Sequence, residues 1–161
     1  MTLNIPSTWF ISVAFLVNSL LPLSASGGSE KIVVGKIDKG GLEHLIRAGE
    51  SPSIVVMMAS WCGPCRKDLP SLIKLYEKYR SRGLKMFGIS FEYAGPSAIQ
   101  KLLDSLNANF PVYCAEEDIL RDYGINAIPM LFLIKDGKIV EKIIGSRTEE
   151  FLDRKIGDFL K

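Results

Sequence analysis

The stretch MASWCGPCRKDLP, residues 58–70, holds two of the chain's three cysteines, Cys62 and Cys65, with Gly63 and Pro64 between them. Upstream runs IVVMMA (54–59), an apolar, β-branched segment without alternation, as expected of a central strand covered on both faces. Downstream, Leu69, Leu72, Ile73, Tyr76 and Tyr79 recur at helical spacing, which predicts a helix from about Pro64 to Arg82, capped by Gly83. Cys62 therefore falls between a buried strand and a helix start. Unpaired backbone N–H groups and the positive end of the helix dipole favour thiolate over thiol at such a place. Cys65, one turn further in, is expected to be more shielded and less ionised. Cys62 would then attack a partner disulfide, and Cys65 would resolve the mixed disulfide. Pro64 suits the first helical turn, where its missing N–H does no harm, and with Gly63 it makes a compact turn between the sulfurs.

Two other readings of the pair are weaker. A loop closed over two intervening residues restricts an unfolded chain very little, so an inert staple has little to offer. A structural zinc site needs a second pair of ligands, and the chain supplies only Cys114 and one histidine, His44. His44 sits in a predicted helix and reads as a surface residue. No metal is expected.

Working outward, short apolar runs alternate with amphipathic segments. KIVVGKI (31–37) reads as a strand, and GLEHLIRA (41–48) as a helix with Leu42, Leu45 and Ile46 on one face. LKMFGIS (84–90) and FPVYC (110–114) read as strands enclosing a helix from about Ser97 to Leu106, followed by a short helix that ends at Gly124. MLFLIK (130–135) and KIVEKII (138–144) flank Asp136-Gly137, a strong two-residue hairpin signal. The last segment, TEEFLDRKIGDFLK, reads as a helix. This order predicts an α/β domain with a mixed central sheet flanked by helices.

Composition narrows the function classes. With 47% hydrophobic and 24% charged residues in 161, the chain has an ordinary globular make-up for one domain. A net charge of +2 without a basic block gives no reason to expect nucleic acid as a partner. The first 26 residues contain no Lys or Arg, are dominated by large apolar side chains from Trp9 to Leu23, and end in small residues. That is the layout of a cleaved secretory signal, with an uncleaved membrane anchor as the other reading. Either way the expectation is export, with residues 27–161 as the folded domain and membrane contact only if the segment stays attached. Three cysteines are too few for a disulfide scaffold.

WCGPC followed by RKDLP, with Pro70 five residues after the second cysteine, resembles the thioredoxin-fold active site. YGINAIPMLFLIKDGKIVEKIIG (123–145) resembles the downstream half of that fold. The resemblance implies that Pro129 is cis beside the cysteine pair and that Ile128 offers backbone hydrogen bonds to an incoming peptide. The segment FEYAGPSAIQKLLDSLNANFPVYCAEEDILRDYGI is longer than thioredoxin's equivalent and adds a helix and a strand before the proline block. That insertion, with the pattern WC-x-PC-x-x-acid-x-P, resembles the TlpA/ResA-like branch of exported thiol-disulfide oxidoreductases. By that resemblance the clients are disulfide-containing extracytoplasmic proteins, apocytochrome c among them. The same resemblance has a membrane thiol-relay protein supply electrons, and no cofactor is needed beyond the Cys62–Cys65 couple.

Several positions depart from these patterns. Asp68 stands where the branch usually has Glu, so it is either a tuning residue or a first-turn acid favoured by the helix dipole. Val56 replaces the buried Asp of thioredoxin, and Met130 replaces the Thr common after the proline, which predicts a more apolar groove beside Cys62. Trp61 is read as shaping the docking surface in preference to plain core, and Cys114 as a buried small hydrophobe in preference to a regulatory thiol. Gly63-Pro64 resembles reducing thioredoxins, so a reductant is the leading reading. A peroxiredoxin-like peroxidase is disfavoured by Ala59, where that signature has Thr or Ser. A non-catalytic redox sensor is the third reading.

Overall fold

The computed structural model describes residues 31–47 and 51–161. The expected signal or anchor at residues 1–26 lies outside the described residues. Among the described residues, no helix is long and apolar enough to cross a membrane.

Among the described residues six strands form one mixed sheet in the order β1-β4-β3-β2-β5-β6. The strands are β1 (Gly35–Ile37), β2 (Ser53–Met58), β3 (Lys85–Ser90), β4 (Val112–Ala115), β5 (Met130–Lys135) and β6 (Lys138–Ile144). The first four are mutually parallel, while β5 runs antiparallel to both β2 and β6. The helices are α1 (Lys39–Arg47), α2 (Gly63–Tyr79), α3 (Pro96–Leu106), α4 (Asp118–Asp122) and α5 (Glu149–Phe159). The expected thioredoxin-like arrangement is present. The insertion is α3 and β4, and β4 slots between β1 and β3.

Every residue of β2 is buried, as its unalternating sequence requires of a strand with helices on both faces. Ile54, Val56 and Met58 face one core with Leu69 and Leu72 of α2, Ile99 and Leu103 of α3, and Leu152 and Ile156 of α5. Val55 and Met57 face the other, with Leu42 and Ile46 of α1 and Ile119 of α4. The two cores meet the sheet from opposite sides, and the reactive pair belongs to the first.

Local chemistry sets the element ends. Asp38 accepts from the Gly41 amide at 2.8 Å, so α1 begins at Lys39, earlier than its apolar spacing suggested. The first strand is shorter than expected because the Gln100 side chain takes the role of a neighbouring strand: it accepts from Val34 N at 2.9 Å and donates to Ile32 O at 2.8 Å. Gly83 (φ 90°) closes a 3-10 turn after α2, and Asp136 and Gly137 both take positive φ (53° and 69°) in the β5–β6 hairpin. Thr148 caps α5 by accepting from Phe151 N.

Candidate active site

The chain leaves β2 at Met58, makes a short turn and enters α2 at Gly63. Cys62 is the N-cap, with extended backbone (φ −82°, ψ 107°), and its sulfur accepts from Cys65 N at 3.2 Å. A disulfide joins Cys62 and Cys65 across a Cα–Cα distance of 5.3 Å. Pro64 lies in the first helical turn, where no N–H is required. Gly63 and Pro64 are exposed, and the space around Gly63 is open, so the tip of the turn is free to meet another chain.

The expected difference in shielding between the two sulfurs is absent. Cys62 is 6% exposed and Cys65 5%, because both are packed into the first core. The asymmetry lies in hydrogen bonding instead. Cys62 Sγ is the cap acceptor, and it lies 3.8 Å from the Ile128 carbonyl oxygen. A Cys62 thiolate would keep the Cys65 N–H and gain from the helix terminus.

Ile128-Pro129 is a cis peptide bond, and Pro129 is buried beside the pair. The Pro129 carbonyl is occupied internally, accepting from Gly145 N at 2.8 Å. Ile128 is half-buried and packs against both cores. Met130 does not line a groove beside Cys62, contrary to the expectation above. Its position opposite Met57 turns its side chain into the second core, where it is 1% exposed. Leu131, opposite Val56, faces the cysteine side.

The segment just ahead of Cys62 is held by the end of β3. Glu92 accepts from Ser60 N, Ser60 Oγ and Ser90 Oγ, each at 2.6 Å. Trp61 donates from Nε1 to Phe91 O at 3.0 Å and stacks on Tyr93 with ring centroids 5.3 Å apart. Phe91 N in turn bonds Met58 O at 3.0 Å. Trp61 is 52% exposed and Tyr93 80%, which places both rings at the surface and not in the core. Sequence reasoning did not find Glu92. Its only signal was an acid two residues past a strand, and its partner Ser60 lies 32 residues away.

Asp68 is not a first-turn acid. It lies in the second turn of α2, is buried, and accepts a hydrogen bond from Ser146 Oγ. Val56, 1% exposed, shares a core with both cysteines, so the strand side of the pair is wholly apolar.

Cys114 is free and half-buried, not the fully buried hydrophobe expected. Burial pushes its thiol up from the ordinary value, although a backbone hydrogen bond from Glu92 works against this. It lines a cavity of about 960 Å³ at the C-terminal ends of the parallel strands, with Trp61, Glu92, Tyr93, Glu116 and Ile128 among its walls. His44 is exposed, and no group of three or more potential metal ligands is found among the described residues.

The sequence profile of the AhpC/TSA family matches residues 38–143, and the chain belongs to that family. It is similar to the thiol-disulfide oxidoreductase ResA of Bacillus anthracis, with 35% identity over 96 residues covering 58% of this chain and 55% of that protein. ResA of Bacillus subtilis is 30% identical over 97 residues, covering 58% and 52%. The chain thus spans about half the length of the curated relatives it matches. Among solved structures, a thiol:disulfide interchange protein of the thioredoxin family from Chlorobium tepidum superposes with a TM-score of 0.64 at 25% identity, covering 74% of this chain and 85% of that one.

Proposed function

We propose that this AhpC/TSA-family chain is a thiol-disulfide oxidoreductase that reduces disulfides of extracytoplasmic client proteins. The observation that carries the reading is the Cys62–Cys65 pair at the α2 N-terminus, with Cys62 Sγ on the Cys65 amide and the cis-proline block beside it. The similarity to proteins named thiol-disulfide oxidoreductase supports it.

In the reduced state the Cys62 thiolate attacks one sulfur of a client disulfide. A Cys62–client bond forms and the other client sulfur leaves as a thiolate, which takes a proton. Cys65, deprotonated, then attacks Cys62 Sγ. The Cys62–Cys65 bond forms, the mixed disulfide breaks, and the second client thiol is released. Two electrons have passed to the client. Ile128, with its carbonyl 3.8 Å from Cys62 Sγ, is placed to bond the client backbone during exchange, and Trp61 frames the approach. Return to the dithiol needs a second dithiol donor, which we assign to a membrane thiol-relay reductant. No cofactor beyond the cysteine couple enters the cycle. Reduction is favoured over oxidation by Gly63-Pro64, and an extracytoplasmic site by the apolar N-terminal segment. A peroxidase reading has less support. Ala59 stands where the peroxiredoxin-like signature carries a hydroxyl, and it is 1% exposed in the core.

Trapping tests the reading. Cys65→Ser should accumulate mixed disulfides with extracytoplasmic proteins, seen as reductant-sensitive adducts, and Cys62→Ser/Cys65→Ser should accumulate none. Adducts equally abundant in both variants, or absent from both, would sink it.

A further inference from the structure

The cavity beside the disulfide has a chemistry the exchange reaction does not use. Neither Cys62 nor Cys65 lines it, but two of its wall residues flank the reactive pair: Trp61, adjacent to Cys62 in sequence, and Ile128, whose carbonyl approaches Cys62 Sγ. One wall is the stacked and exposed Trp61–Tyr93 pair. Five carboxylates line it, Asp38, Glu92, Glu116, Glu117 and Asp118, against one cation, Lys36. None of the five is in an ion pair among the described residues. On a chain of net charge +2 this is a local reversal of sign.

Aromatic faces and unneutralised carboxylates share one complementary ligand, a Lys or Arg side chain. The ring quadrupole attracts the cation and its alkyl stem covers the ring. A metal ion is a poorer fit, since the acids do not converge into a ligand group among the described residues. Resting on the oxidoreductase reading, we propose that this cavity seats the client segment next to the disulfide and selects for basic residues there. Charge at such a distance sets the rate of encounter and the choice of partner more than the chemistry at sulfur.

The test uses the full chain and two synthetic peptides of equal length, each with one internal disulfide, flanked by Lys in one and Glu in the other. The reduced protein should reduce the Lys peptide about fivefold faster at low salt, against its own net charge, with the ratio narrowing as salt is raised. Glu116→Gln/Glu117→Gln should bring the ratio close to one. Equal rates, a preference for the Glu peptide, or a ratio unchanged in that variant would overturn the proposal.

A second arm is independent of exchange. In the oxidised chain Cys114 is the sole thiol, and it lines the cavity. A Lys peptide with Ser in place of each Cys should slow alkylation of Cys114 by iodoacetamide at least about twofold. Alkylation unaffected by saturating peptide would also overturn the proposal. If neither disulfide peptide is reduced, the oxidoreductase reading fails, and the alkylation arm alone decides the cavity.

Discussion

Two groups of carboxylates sit on opposite sides of the sheet and are handled differently. On the α2–α5 side three of them are paired with lysines: Glu149 with Lys74, Asp153 with Lys78 at 2.7 Å, and Glu141 with Lys155 at 2.8 Å. Around the cavity three of the five acids are held by backbone and hydroxyl donors instead. Glu92 bonds Ser60 and Ser90, Asp38 caps α1, and Asp118 accepts from Ile119 N. Those bonds fix the carboxylates in place without cancelling their charge. One side uses charge to tie helices together, and the other keeps it facing outward beside the reactive pair.

The comparison is broken most severely by removing packing from the tied side. Leu72, 2% exposed between the sheet and α5, should cost about 2–5 kcal/mol as Leu72→Ala, read from the urea unfolding midpoint. A loss under about 1 kcal/mol would mean that this core is not where the stability resides. Next in size is Glu92→Ala. It strands the hydroxyl of Ser90, which is 0% exposed, and frees Ser60, for an expected loss of about 1–3 kcal/mol with slower disulfide exchange. If stability falls but exchange is unchanged, Glu92 holds the fold and not the approach to Cys62.

Lys78→Met should barely move the unfolding midpoint at neutral pH, since the pair it breaks is open to solvent. Its sharper signature is in acid. Bonds from Lys78 and then from the Tyr79 hydroxyl hold Asp153 below its ordinary 3.8, and bonds from Lys74 and Ser71 hold Glu149 below 4.5. Both carboxylates are lowered in the folded chain, so their stabilisation is present above the ordinary values. It is lost as pH falls through the lower folded ones. The fall in unfolding midpoint below about pH 4 should therefore be shallower in Lys78→Met, and an identical acid limb would refute the assignment.

How far the sequence could be read follows from the range of the interactions. The strand–turn–helix around Cys62, the Asp136-Gly137 turn and the left-handed Gly83 that stops the chain after α2 are local, and the residues announce them, although α2 itself ends at Tyr79 and Gly83 closes the 3-10 turn that follows. The facing of β5 is not local. In MLFLIK the first five residues are all apolar, so alternation carries no signal, and only pairing with β2 decides that Met130 turns away from the cysteines. Asp68 with Ser146 and Glu92 with Ser60 are likewise joined across 78 and 32 residues. The cavity is further removed still, since its walls come from β1, the loop after β3, β4 and the proline block and exist only once the sheet is assembled.

The inserted strand also bears on the order of assembly. Among the described residues Gly35 of β1 pairs with Tyr113 of β4 and with no other strand, so three residues near the start of the fold wait for a partner made much later. Closing that loop is entropically slow and its return in contacts is small. The edge at β1 should therefore close late in folding and open early, with its amides exchanging with solvent ahead of those in β2 and β5.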